Sequence, residues 1–166
     1  MTFAAGNTVR LIGGTTALDD IDSPRSIEFL ADGGWVSAWR STTIGGPQGS
    51  DVYLQIFNAD GTLRGNTQRI NTFTGGDQST TSVQALADGG FVAVWNSFGQ
   101  DGDSFGVYQQ RYDSQGAQVG SETRVNQQTA GYQDSGVPVS LTGGGWAVVY
   151  INQNTVTGAA QLVPQP

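Results

Sequence analysis

The hexapeptide Leu30-Ala31-Asp32-Gly33-Gly34-Trp35 returns as Leu86-Ala87-Asp88-Gly89-Gly90-Phe91, and more loosely as Leu141-Thr142-Gly143-Gly144-Gly145-Trp146. The period is 56 and then 55 residues. A chain that repeats on this scale is made of supersecondary units, each burying a face against the next. The surrounding residues repeat as well. Val52-Tyr53-Leu54-Gln55-Ile56-Phe57 matches Val107-Tyr108-Gln109-Gln110-Arg111-Tyr112, and more distantly Gly158-Ala159-Ala160-Gln161-Leu162-Val163. Gly65-Asn66-Thr67-Gln68-Arg69-Ile70-Asn71 matches Gly120-Ser121-Glu122-Thr123-Arg124-Val125-Asn126. The third copy stops at Pro164 without this last element, whose counterpart is Gly6-Asn7-Thr8-Val9-Arg10-Leu11 at the other end of the chain. The expectation is one repeat domain over residues 1–166, with units at about 13–71, 72–126 and 127–166 plus 1–12.

Each unit reads as four short strands. Ser26–Leu30, Ser82–Leu86 and Val137–Leu141 run into tight glycine turns, where glycine supplies positive φ without strain. The next strand alternates aromatic and small apolar residues, placing Trp35 and Trp39 on one face and Val36 and Ala38 on the other. Both faces are apolar, which marks a central strand covered on both sides. A glycine-rich loop leads to the third strand. A second tight turn, Asn58–Gly61 or Asp113–Gly116, leads to the fourth. No window carries a helical period.

The fold class expected is all-β: three four-stranded antiparallel repeats of about 55 residues, β-propeller-like, with the N-terminal strand completing the last repeat. Three blades alone would be too sharply angled, so a homodimer forming six blades is expected. The alternatives are a closed three-sheet β-prism or a β-trefoil.

Residues Ser82–Ser97, Gln100–Asp103 and Gly106–Asp113 carry a resemblance. They are similar to the propeller-like repeats of large secreted bacterial surface and hemolysin-type proteins, most clearly over residues 75–126. The resemblance implies an extracellular repeat module and brings no catalytic residues. The nine-residue Gly/Asp calcium repeats of that group are absent.

Composition narrows the chemistry. The chain of 166 residues has no His and no Cys, and all seven of its basic residues are Arg. Catalytic His or Cys nucleophiles, Schiff bases, thiol redox and His/Cys metal sites are therefore excluded. A net charge of -7 argues against nucleic acid as a partner. No apolar run is long enough for membrane insertion, and no classical N-terminal signal peptide is present. The acidic, lysine-free composition points to an extracellular or cell-surface location of a bacterial kind.

Candidate ligand-binding residues are those that recur with donor or stacking chemistry: Arg10, Arg69 and Arg124; Gln55 and Gln110; Tyr53 and Tyr108. The tyrosines open the third strand near long loops and are expected to be exposed enough to stack on a sugar. The competing reading has Arg and Gln tying neighbouring sheets through backbone carbonyls. Asp101 and Asp103 are the candidate metal ligands, because alternate acids punctuated by glycine suit Ca²⁺; no other cofactor is expected. The function expected is a non-enzymatic, lectin-like or adhesion module whose partner is a glycan or cell-surface polysaccharide. One alternative is a structural, self-assembling repeat module without a small ligand. The other is a carboxylate-dependent glycoside hydrolase drawing on acids such as Glu28 or Asp101.

Overall fold

A computed structural model describes residues 19–20, 26–42, 49–153 and 159–165, with side chains in 26–42, 49–79 and 82–153. The described residues are all-β. One sheet holds β1 (Asp19–Asp20), β2 (Ile27–Phe29), β3 (Trp35–Ser41), β4 (Asp51–Phe57) and β5 (Leu63–Arg69). A second holds β6 (Gln78–Ala85), β7 (Phe91–Phe98), β8 (Phe105–Tyr112) and β9 (Gln118–Arg124). A third holds β10 (Gln133–Ser140), β11 (Trp146–Asn152) and β12 (Ala159–Gln165). Every described pairing is antiparallel, and strands follow one another in sequence order; β1 and β2 lie along the same edge of β3. None of these sheets closes into a barrel, as a β-trefoil would require. The expected closing strand, Gly6–Leu11, lies outside the described residues.

The glycine turns are built alike. Leu86 N donates to Gly90 O at 2.8 Å and Gly89 N to Leu86 O at 3.1 Å, with the same pair of bonds at Leu30–Gly34 and Leu141–Gly145. Such a three-residue loop is a type I turn followed by a left-handed residue. Gly33, Gly89 and Gly144 each take φ of 86° there. The next glycine is needed for space: a Cβ on Gly90 would lie 2.3 Å from Tyr112 O. Asp32 and Asp88 close these turns by accepting from Gly34 N and Gly90 N at 2.9 and 3.0 Å.

The alternation in β3 and β7 sorts side chains as the sequence implies. Val36, Ala38, Leu54 and Ile56 of the first sheet meet Val83, Phe91, Ala93 and Trp95 of the second in one buried cluster. Val92, Val94 and Val107, on the other face of the second sheet, meet Trp146, Val148 and Tyr150 of the third in another. Thus each sheet turns an aliphatic face to the sheet that follows and an aromatic-rich face to the one before. Burying a single Phe or Val side chain stabilises by about 1.5–3 kcal/mol, so these two seams carry the core. The first strand of a sheet lies across the sheet before it: β6 packs on β2, β3 and β4, and β10 on β6, β7 and β8. The last strands, β5 and β9, are polar and exposed, with register shifts that discourage edge pairing.

Candidate functional site

The residues that converge lie on the loop end of the seam between the first and second sheets. Tyr108 on β8 pairs with Arg124 on β9, and two residues earlier on the same face stands Glu122. Glu122 Oε2 accepts from Thr72 N at 2.6 Å and from Thr72 Oγ1 at 2.9 Å, just beyond the end of β5. Its other oxygen accepts from Gln100 Nε2 at 2.6 Å. The neighbouring Asp101 folds back under the loop. Its Oδ2 accepts from Asn126 Nδ2 at 2.9 Å, and a Cβ on Gly106 would come within 2.7 Å of that oxygen. Gly106 therefore makes the room that Asp101 fills. Asp101 Oδ1 and Gln100 Oε1 are buried without a hydrogen-bond partner among the described residues.

Burial first, then the Asp101 and Glu122 carboxylates, push the Tyr108 phenol up to about 12, against the opposing pull of Arg124. Two carboxylates and one guanidinium thus lie near enough to bear on one phenol. The first sheet has a related arrangement built from a different backbone position. Asn71 Oδ1 accepts from Val52 N at 2.9 Å as Asn126 Oδ1 does from Val107 N at 2.9 Å. Here the carboxylate on the Asn amide is that of buried Asp51, at 2.6 Å, with Arg69 Nη1 3.6 Å from its other oxygen.

The expected site residues therefore separate. Tyr108, Arg124 and Asp101 come together, and Arg69 sits exposed beside Asp51. Arg10 lies outside the described residues. The exposure expected of Tyr53 and Tyr108 is corrected: both are buried, at 6 % and 5 %. The register sets each ring against a tryptophan of the adjacent strand, Tyr53 on Trp39 and Tyr108 on Trp95, and the second of these pairs faces the first sheet. Gln55 and Gln110 are also buried, and their amides are spent inside their own sheets rather than between sheets. Gln110 Nε2 donates to Arg111 O at 2.9 Å and Val119 O at 3.2 Å, and Gln55 Nε2 to Ile56 O at 2.8 Å and Gly65 O at 3.2 Å. Both fill the β-bulge where the fourth strand slips register. Asp103 leaves Asp101 and accepts from Gly131 N at 2.8 Å. Among the described residues no three acidic side chains gather as a metal group. Glu28 is turned to the second sheet, where its Oε1 accepts from Gln84 Nε2 at 3.2 Å.

Gln100, Thr72 and Asn126 were not singled out from sequence. Asn126 belongs to a recurring Arg-x-Asn with Asn71, which was the only available signal. Gln100 and Thr72 meet Glu122 from positions 22 and 50 residues away, which no local pattern announces. At the opposite end of the molecule, an open cleft of about 450 Å³ between the second and third sheets is lined by Asp88, Arg111, Gly144 and Trp146. Its wall is fixed by an ion pair between Arg111 and Asp88.

No protein family and no curated protein matches the chain, so the resemblance to hemolysin-type surface repeats gains no support there. Among solved structures, the chain aligns with that of an endo-arabinase from Bacteroides thetaiotaomicron VPI-5482, with a TM-score of 0.54 and 15% identity. The alignment covers 85% of this chain and 55% of that one, so the chain spans about half the length of its structural neighbour. At this identity the likeness is one of fold. It nonetheless corrects the expectation that the protein is not an enzyme, since a similar fold is that of an endo-arabinase and gives no ground for setting hydrolysis aside.

Proposed function

We propose that the protein engages carbohydrate chains at the Asp101–Tyr108–Glu122–Arg124 cluster, and that its three sheets are blades of a β-propeller. The observation that carries the reading is the loop in which adjacent Gln100 and Asp101 reach Glu122 on, and Asn126 just beyond, the strand that pairs with Tyr108 through Arg124, on a fold similar to that of an endo-arabinase. Planar acids, amides and guanidinium groups suit sugar hydroxyls because each presents paired donors or acceptors. The stacking of each sheet's first strand across the preceding sheet supports the propeller reading. A pair of acids is also the minimum equipment of a glycosidase, so the same cluster supports hydrolysis as well as recognition.

The test is a polysaccharide panel that includes arabinan, read for both retention on the immobilised glycan and release of reducing ends. The expected result is retention or release with at least one polysaccharide, lost in Asp101→Asn and Glu122→Gln. Release abolished with retention intact assigns the acids to bond cleavage; loss of retention assigns them to recognition. A panel with neither signal overturns the proposal.

A further inference from the structure

The two seams differ at corresponding positions of their loop end. Between the first and second sheets, Asp77 Oδ1 accepts from Ser50 N at 3.1 Å and from Ser50 Oγ at 3.2 Å. One repeat further on, those two positions hold Tyr132 and Phe105. Their rings meet edge to face, with centroids 5.4 Å apart. Phe98, where the first sheet has Thr42, packs edge to face on Phe105 at 5.1 Å and is 47 % exposed. A hydrogen-bonded pair closes the first seam here, so closure alone does not call for three rings with one of them open to solvent.

A polar group is fixed at the edge of these rings. Tyr132 OH donates to Asp134 Oδ2 at 3.2 Å, while Asp134 Oδ1 accepts from Ser135 N and from Asn96 Nδ2. Ser135 takes φ of 56° at the register shift in β10, a left-handed backbone no other non-glycine adopts among the described residues. That conformation carries a strain cost for a residue with a side chain, so half-buried Asp134 is held in place against a penalty. The hairpin between Phe98 and Phe105 also carries the polar cluster already described. Gly99 N donates to Ser104 O at 2.8 Å to close it. Its Gln100 and Asp101 reach Glu122 and Asn126, and its Asp103 accepts from Gly131 N, next to Tyr132.

We infer that Phe98, Phe105 and Tyr132 form a stacking platform for a sugar ring, with Asp134 accepting from a hydroxyl at its rim. The C–H face of a sugar is apolar and covers an aromatic ring, while its hydroxyls need fixed polar partners beside that ring. The inference rests on the reading that this protein engages carbohydrate, and deepens it. The ligand is an extended chain, one of whose sugars lies on the rings while others reach the Asp101–Glu122 cluster across the same hairpin. Asp101, Glu122 and Asp134 set three carboxylates against the one guanidinium of Arg124, so that chain is uncharged rather than built of uronic acids.

Native electrophoresis through gels carrying arabinan, each other polysaccharide of the panel, or polygalacturonate is the test. A neutral polysaccharide should retard the unaltered protein, and polygalacturonate should not. Phe98→Leu keeps an apolar contact on Phe105 but has no ring face. It should bind the same polysaccharide about two- to tenfold more weakly, with its melting temperature unchanged. Phe98→Trp should bind at least as tightly as the unaltered protein. Undiminished binding by Phe98→Leu overturns the platform, as does a lowered melting temperature, which would make the ring a packing element. Weakened binding by Phe98→Trp, or retardation by polygalacturonate alone, overturns it too. If Asp101→Asn and Glu122→Gln lose retention while Phe98→Leu keeps it, the platform fails and the carbohydrate reading stands. If no polysaccharide retards the unaltered protein, both fail.

Discussion

Tyr108 and Tyr112 are the residues whose chemistry depends most on where the fold has put them. Burial pushes both phenols up to about 12; at Tyr108 the Asp101 carboxylate adds to it, and at Tyr112 that of Glu122. The unfolded value is about 10. A folded pKa above the unfolded one means the neutral phenol is the form the native state holds. Its contribution is complete below pH 10 and is lost as pH rises through 12. Ultraviolet titration should therefore show these two of the five tyrosines ionising near pH 12, together with falling stability between pH 10 and 12. The Tyr108→Phe/Tyr112→Phe double variant should keep more of its stability across that interval. Ionisation of every tyrosine at the ordinary value would refute the placement. None of this was legible in the sequence. Tyr108 opens a strand beside a glycine-rich loop, which looks exposed until the first sheet is laid over it.

At the scale of the strand and turn, most of the fold could be read in advance. The Asp-Gly-Gly turns, the alternation in Trp35–Trp39 and Phe91–Trp95, and the second turns at Gly61 and Gly116 are contacts between residues a few positions apart. Composition alone specifies them. The β-bulges were not visible, because they arise from a slip between two strands rather than from either one. They explain the recurring glutamine: Gln110 answers the carbonyls that the slip between Gln109 and Arg111 turns inward. Gln110→Ala removes that donor and should cost about 1–3 kcal/mol in urea denaturation, the cost of orphaned buried carbonyls. Gln55→Ala should do the same in the first sheet. A loss under a few tenths of a kcal/mol in both would show that the carbonyls find other donors.

Over the whole molecule, the two seams decide what the sheets do together. Gly136 lets β10 lie close on the second sheet, since a Cβ there would come within 2.6 Å of Val107 Cγ1 and 2.7 Å of Val94 Cγ1. Gly136→Val should therefore wedge the third sheet away. Overpacking of this kind costs about 1–3 kcal/mol, and limited proteolysis should begin to cut between Val125 and Gln133 while the first two sheets stay intact. An unchanged melting temperature and cleavage pattern would mean the seam gives way without loss. The seams also explain why only part of the candidate site was readable. Tyr108, Arg124 and Asp101 advertise themselves by repetition or local pattern. Thr72 and Gln100 owe their place to the way one sheet is laid against the next.

Because each described strand pairs with the strand adjacent to it in the chain, apart from the two pieces that share the edge of β3, a ribosome would release this protein in completed parcels. A sheet can finish its hydrogen bonding once its own last strand has emerged, without waiting for distant sequence, which keeps unpaired edges short-lived during synthesis.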